Sequence, residues 1–147
     1  MARGNFWRRF QSTLFQLPAW FSPHTKLRVL FHRLRGVKIG KNVEIGYFCI
    51  IGNVHPYLIN IEDGAVVTAK VVLLEHDNAF YYSRGTDVNF GPIFVKKRSF
   101  LGIGSVVLPN VTIGERSIVG PNSVVIKDVP PDTIVGGIPA KIIKTIE

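Results

Sequence analysis

Cysteine is almost missing from these 147 residues: Cys49 stands alone, which excludes an intrachain disulfide and a cysteine-built zinc site. Long apolar runs are missing as well. The longest aliphatic stretch, Val71-Val72-Leu73-Leu74, falls far below the ~20 apolar residues of a membrane span, so no transmembrane segment is expected. Near the start, Arg8-Arg9, Gln11, Ser12 and Gln16 interrupt the apolar stretch that a secretory signal needs, and a cytoplasmic location is expected. Carboxylates are absent before Glu44, whereas Arg3, Arg8, Arg9, Lys26, Arg28, Arg33, Arg35 and Lys38 all precede it. The other ten of the 18 basic residues balance the ten acidic ones, so the whole net charge of +8 sits in one N-terminal segment. That placement argues against a general nucleic-acid-binding surface and for a local task.

Glycine, by contrast, is abundant and periodic. Eight of the 14 glycines follow an aliphatic residue, and several of these pairs lie six or twelve residues apart. From Val95 the chain divides into VKKRSF, LGIGSV, VLPNVT, IGERSI, VGPNSV and VIKDVP, each opening on Val, Leu or Ile with a small fifth residue. IGKNVE, IGYFCI and IGNVHP keep the same period near the start, as do IEDGAV, VTAKVV and LLEHDN in the middle. A meander of strands turns every ~8 to 12 residues; six leave room only for a short extended segment and a corner. Three such units make a triangular coil, and coils stacked ~4.8 Å apart bury their aliphatic residues on one another. The pattern predicts an all-β solenoid of about four to five coils over residues 37–147, behind a basic helical segment over residues 1–36. Frame breaks mark the excursions: Leu73 to Val95 spans 22 residues, giving a loop over 78–94, and a shorter bulge falls near His55 to Tyr57. Residues 131–147 read as a C-terminal tail.

Of the four histidines, His24 and His32 are expected on the polar face of the N-terminal segment, and His55 in the bulge as a structural or solvated residue. His76 ends the last repeat before the long loop. Its neighbours Glu75 and Asp77 point to the opposite face of an extended strand, so its partner is open between a carboxylate and a backbone carbonyl, with both carboxylates equally readable as solvated. In the loop, Phe80, Tyr81, Tyr82, Arg84 and Asp87 suit an acceptor pocket, since aromatics stack on sugar faces, and equally suit packing against another subunit. Asn60 and Tyr57 are further acceptor-side candidates.

The repeats, the LLEHD segment, the long loop and the ending GPNSVVIKDVPPDTIVGGIPAKIIK resemble the hexapeptide-repeat acyltransferases, within them the branch of sugar, xenobiotic and polysaccharide O-acetyltransferases, over about residues 37–144. The resemblance implies a left-handed parallel β-helix, a homotrimer with active sites between subunits, and acetyl-CoA as donor without a metal. It places His76 at the catalytic histidine; imidazole, with an unperturbed pKa of ~6.5, suits removal of the acceptor's proton. It implies donor contacts at Gly102, Ser105, Pro121, Lys127 and Lys141. Gly102 and Gly104 would admit the pantetheine arm, the lysines would meet phosphates, and backbone N–H groups near Gly102 would hold the oxyanion. Phe100 stands where many relatives carry tryptophan. The alternatives are a γ-class carbonic anhydrase, for which the histidine spacing is wrong, and a non-catalytic scaffold.

Phe6, Phe10, Leu14 and Leu17 form a helical stripe, and Leu27, Leu30, Phe31 and Leu34 repeat it after Ser22-Pro23. Residues 24–36 are expected to cap the first coil, whereas residues 4–21 suit either a cap or an anionic membrane surface, the absence of carboxylates before Glu44 favouring membrane contact through residues 1–21.

Overall fold

In a computed structural model of the chain, residues 2–146 are described; the side chains of Arg3, Phe6, Arg8 and Arg9 lie outside that description. Two helices, α1 (Ala2–Phe21) and α2 (Thr25–Leu34), precede a left-handed parallel β-helix. Its first coil holds β1 (Lys38–Ile39), β2 (Glu44–Ile45) and β3 (Ile50–Ile51), and its second β4 (Ile59–Ile61), β5 (Val66–Val67) and β6 (Val72–Leu73). The chain then leaves the solenoid through β7 (His76–Asp77), a third helix α3 (Ala79–Arg84) and β8 (Asn89–Phe90). It returns for a third coil of β9 (Ile93–Val95), β10 (Phe100–Leu101) and β11 (Val106–Val107), and a fourth of β12 (Thr112–Ile113), β13 (Ile118–Val119) and β14 (Val124–Val125). A partial fifth coil, β15 (Thr133–Gly136), is closed by β16 (Lys141–Thr145), which runs antiparallel on it.

Register follows the six-residue frame. Ile45, Val67, Leu101, Val119 and Val135 stack down one side of the triangle, and Ile51, Leu73, Val107 and Val125 down another. All these side chains are buried, each worth ~1.5–3 kcal/mol of apolar burial. The small fifth residues, Ser99, Ser105, Ser117 and Ser123 among them, also point inward beside the corners. Six-residue spacing recurs in backbone conformation too: Asn42, Phe48, Lys70, Arg98, Asn110, Arg116 and Asn122 all hold the left-handed region at corners.

Adjacent coils exchange hydrogen bonds in both directions: Gly46 N donates to Val67 O and Gly102 N to Val119 O, while Gly64 N donates back to Lys41 O and Gly104 N to Ala69 O. The outward backbone groups of the first coil have no preceding coil to pair with, and α2 supplies partners instead: Thr25 Oγ1 accepts Ile45 N (3.0 Å), and the carbonyls receive one arginine per side of the triangle. Arg33 donates to Ile39 O (3.1 Å), Arg28 to Ile45 O (2.7 Å) and Arg35 to Ile51 O and Gly52 O (3.1 and 2.9 Å). Trp20 of α1 adds a bond to Cys49 O (2.7 Å), and Arg35 reaches back to Ser12 O of α1 (3.1 Å). Both helices are thus turned with polar residues inward: α1 buries Ser12, Gln16 and Ala19, and α2 buries Arg28, Val29 and His32. The hydrophobic stripe faces out.

Three expectations are corrected. His32, expected on an exposed polar face, is fully buried because that face is the inner one; its Nδ1 meets Arg35 Nη1 at 2.9 Å. The segment over 78–94 is not plain loop: it contains α3 and β8, and its last two residues already belong to β9. The tail from 131 begins as solenoid, since β15 pairs in parallel with β13.

Candidate active site

His76 stands where the chain quits the second coil. Leu73 points into the core, and strand alternation carries on for two more residues, so Glu75 also points inward and is 0% exposed. Charged groups are rarely buried without compensation. Here Glu75 Oε1 accepts the backbone N–H groups of Val54 and His55, each at 2.7 Å. Burial pushes the Glu75 carboxyl up, but the N–H groups of His55, of its own backbone and of Val54, with the nearby His76, outweigh it and hold it below the ordinary range. The bulge at 54–58 is thereby tied to the strand that bears His76.

The next residue, His76, turns the other way, and its side chain keeps 16% exposure. Its Nδ1 lies 3.4 Å from Glu75 Oε1, and the two buried atoms His76 Nδ1 and Glu75 Oε2 have no hydrogen-bond partner among the described residues. Asp77 is occupied elsewhere: its Oδ1 accepts Ala79 N (2.8 Å), opening α3. The reading of both carboxylates as solvated is corrected for Glu75, because the alternation that begins at Leu73 takes it into the interior.

Opposite His76, β8 pairs antiparallel with β7, His76 facing Phe90, and the Phe90 ring stacks on the imidazole (centroids 6.0 Å, 30°). Phe90 also meets His55 (4.9 Å), whose Nδ1 lies 3.2 Å from Tyr57 Oη. Phe90 and Glu75 therefore flank His76, His55 joins them through the Phe90 ring and the Glu75 carboxylate, and Tyr57 joins through His55. Sequence reading placed His55 and Tyr57 in the bulge without joining them to His76, because they lie 21 and 19 residues before it and only the coil stacking brings the bulge to that strand. It missed Phe90 as well, whose signal was its place just before the frame resumes.

The other acceptor candidates stand apart. Tyr81, Tyr82 and Arg84 lie exposed on α3, where Tyr81 meets Tyr82 edge-on (5.2 Å) and Arg84 sits over Phe80 (5.9 Å). Asp87 is exposed beyond that helix, and Asn60 lies on the outer side of β4, between Lys38 and Phe94. Among the described residues, His76 makes no hydrogen bond, ion pair or ring contact with any of these.

The donor candidates divide. Pro121, Lys127 and Lys141 are exposed on the later coils and on β16, available to a ligand. Ser105 is not: its side chain is fully buried in the solenoid, its N–H donates to Gly102 O (3.1 Å) and its carbonyl accepts Val72 N (2.9 Å). A Cβ on Gly102 would meet Pro121 N at 2.6 Å and Val119 O at 2.7 Å, so coil stacking itself requires that glycine, whether or not a ligand approaches. The N–H groups of Gly102 and Gly104 are bound to Val119 O (2.8 Å) and Ala69 O (3.1 Å), which removes them as oxyanion donors. Among the described residues, no three His, Cys, Asp or Glu side chains come together as a metal site.

Comparison with known proteins agrees with this architecture. The family described as "Bacterial transferase hexapeptide (six repeats)" matches residues 92–127. Protein CapG of Staphylococcus aureus is 39% identical over 132 residues, covering 82% of this chain and 77% of that protein. A putative acetyltransferase of Schizosaccharomyces pombe is 36% identical over 113 residues, covering 76% of this chain, and the chain spans only 54% of its length. A galactoside acetyltransferase solved in complex with coenzyme A superposes with a TM-score of 0.73 at 21% identity, covering 100% of this chain and 84% of that one. Six-residue units, coil stacking and a close relative matched over most of its length place the chain in the hexapeptide-repeat acyltransferase family.

Proposed function

We propose that the protein moves an acetyl group from acetyl-CoA to a hydroxyl of a sugar or glycan, with His76 as general base. The pairing of His76 with a buried, ionised Glu75 at the exit from the second coil is the observation that supports this reading most. In the reaction, imidazole takes the hydroxyl proton as the oxygen bonds to the thioester carbon. The carbon–sulfur bond then breaks, and the histidine returns the proton to the departing sulfur. Glu75 orients the ring and stabilises its transient positive charge. Attack is direct rather than through an acyl-enzyme, since Cys49 is buried, its thiol pushed up to about 11 by that burial, and far from nucleophilic.

Coenzyme A in the galactoside acetyltransferase structure supports the donor. Exposed Lys127 and Lys141 would meet its phosphates and Pro121 its arm, while Ser105 and the Gly102 amide serve the fold. A homotrimer completes the site, with Lys127 and Lys141 of one subunit facing His76 of the next. Polysaccharide tailoring in the cytoplasm is the setting this reading assigns, and a sugar acceptor fits the likeness to the galactoside acetyltransferase. The test is His76→Ala assayed by release of CoA thiol over an acceptor panel: transfer falls ~10²- to 10⁴-fold while calorimetric acetyl-CoA binding is retained. Near-normal turnover by the variant would sink the assignment.

A further inference from the structure

We propose that the outward face of α1 and α2 docks on the surface of an anionic phospholipid bilayer. A soluble capping helix turns its apolar stripe to the body and its charges to water. These two helices do the reverse. Phe10, Leu14, Leu17 and Phe21 of α1, and Leu30 and Leu34 of α2, are all exposed, with Leu14 and Leu17 at 56% and 59%. Capping explains why the arginines go in, because the first coil's carbonyls need donors. It does not explain leucine and phenylalanine on the far side, where lysine or glutamate would leave the cap intact. Large apolar side chains clustered on one face mark a surface that another phase or partner covers.

Charge selects the occupant. With Arg28, Arg33 and Arg35 committed to carbonyls, the segment still holds Arg3, Arg8, Arg9, Lys26 and Lys38, and no carboxylate precedes Glu44. A second copy laid over the same face would bring like charges together, whereas phospholipid phosphates attract them. Among the described residues no helix is long and apolar enough to cross a membrane, so the helices lie along the interface. This docking does not depend on the acetyl-transfer reading.

The experiment is flotation of the full-length protein with vesicles of phosphatidylglycerol and phosphatidylcholine in equal parts. At ~0.1 M salt the protein floats with them. It is released towards ~1 M salt, where the Debye length shrinks from ~10 Å to ~3 Å, and it binds pure phosphatidylcholine weakly. A Leu14→Glu/Leu17→Glu variant binds about tenfold less with its melting temperature and oligomeric mass unchanged, since both positions are exposed. Intact protein that stays in the buffer at low salt overturns the proposal, as does binding that the double variant leaves untouched. A double variant of lower oligomeric mass assigns the face to a second copy and overturns it equally.

Discussion

Glu75 and His76 are chain neighbours on opposite sides of one strand, one fully inside the solenoid and the other at its surface. The carboxylate serves two purposes there, pinning the bulge through Val54 and His55 and facing the imidazole. Glu75→Gln keeps an oxygen for the two N–H donors and removes the charge. It is expected to lower kcat ~10²-fold with little change in the donor KM; an unchanged kcat would confine Glu75 to a structural role. His32 offers a pH test of the cap. Burial first, then Arg35, lowers it to about 3, and its unprotonated Nδ1 accepts from Arg35. Between that value and its unfolded ~6.5 the unfolded chain binds more protons, so the stability present above pH 6.5 declines as pH falls, by ~2 kcal/mol at pH 5. Denaturant melts at pH 7 and pH 5 should show that decline in the wild type and a smaller one in His32→Asn. Sequence could single out His76, since its place at the end of LLEHD carries the family pattern. It could not settle Glu75, because whether a strand continues its alternation beyond the last core residue depends on how the chain departs from the coil.

At the scale of elements, the period of six was fully legible: small inward residues and aliphatic openings repeat through three stretches, and the stacked registers follow them. The orientation of the N-terminal helices was not legible. A stripe of Phe and Leu on a helix ordinarily means burial, and only the unmet carbonyls of a first coil, a property of the assembled sheet, reverse it. The charge excess had the same hidden cause, for three of the eight N-terminal cations are donors to backbone. Arg28→Met would keep the stem's packing and leave Ile45 O and Ser22 O without their 2.7 Å donors. A loss of ~2–3 kcal/mol in unfolding free energy is expected; a loss below ~0.5 kcal/mol would mean that water replaces the guanidinium at no cost.

For the whole molecule, the proposed sharing of sites between subunits has a direct readout. His76→Ala and Lys141→Ala subunits, mixed through unfolding and reassembly at a donor concentration where neither works alone, should regain part of the wild-type rate. A mixture as inactive as its components would place both residues in one subunit's site.

Stacked coils leave an open row of backbone N–H and C=O groups at each end of the solenoid, and in a parallel stack the first coil of one rod matches the last coil of another. Left bare, the chain would be a building block for head-to-tail filaments whose mean length rises smoothly with concentration, since each added unit makes the same single contact. Three arginines at one end and the reversed strand β16 at the other terminate that growth before it starts. The number of coils is therefore free to change by whole turns of the triangle, so long as both terminators travel with the ends.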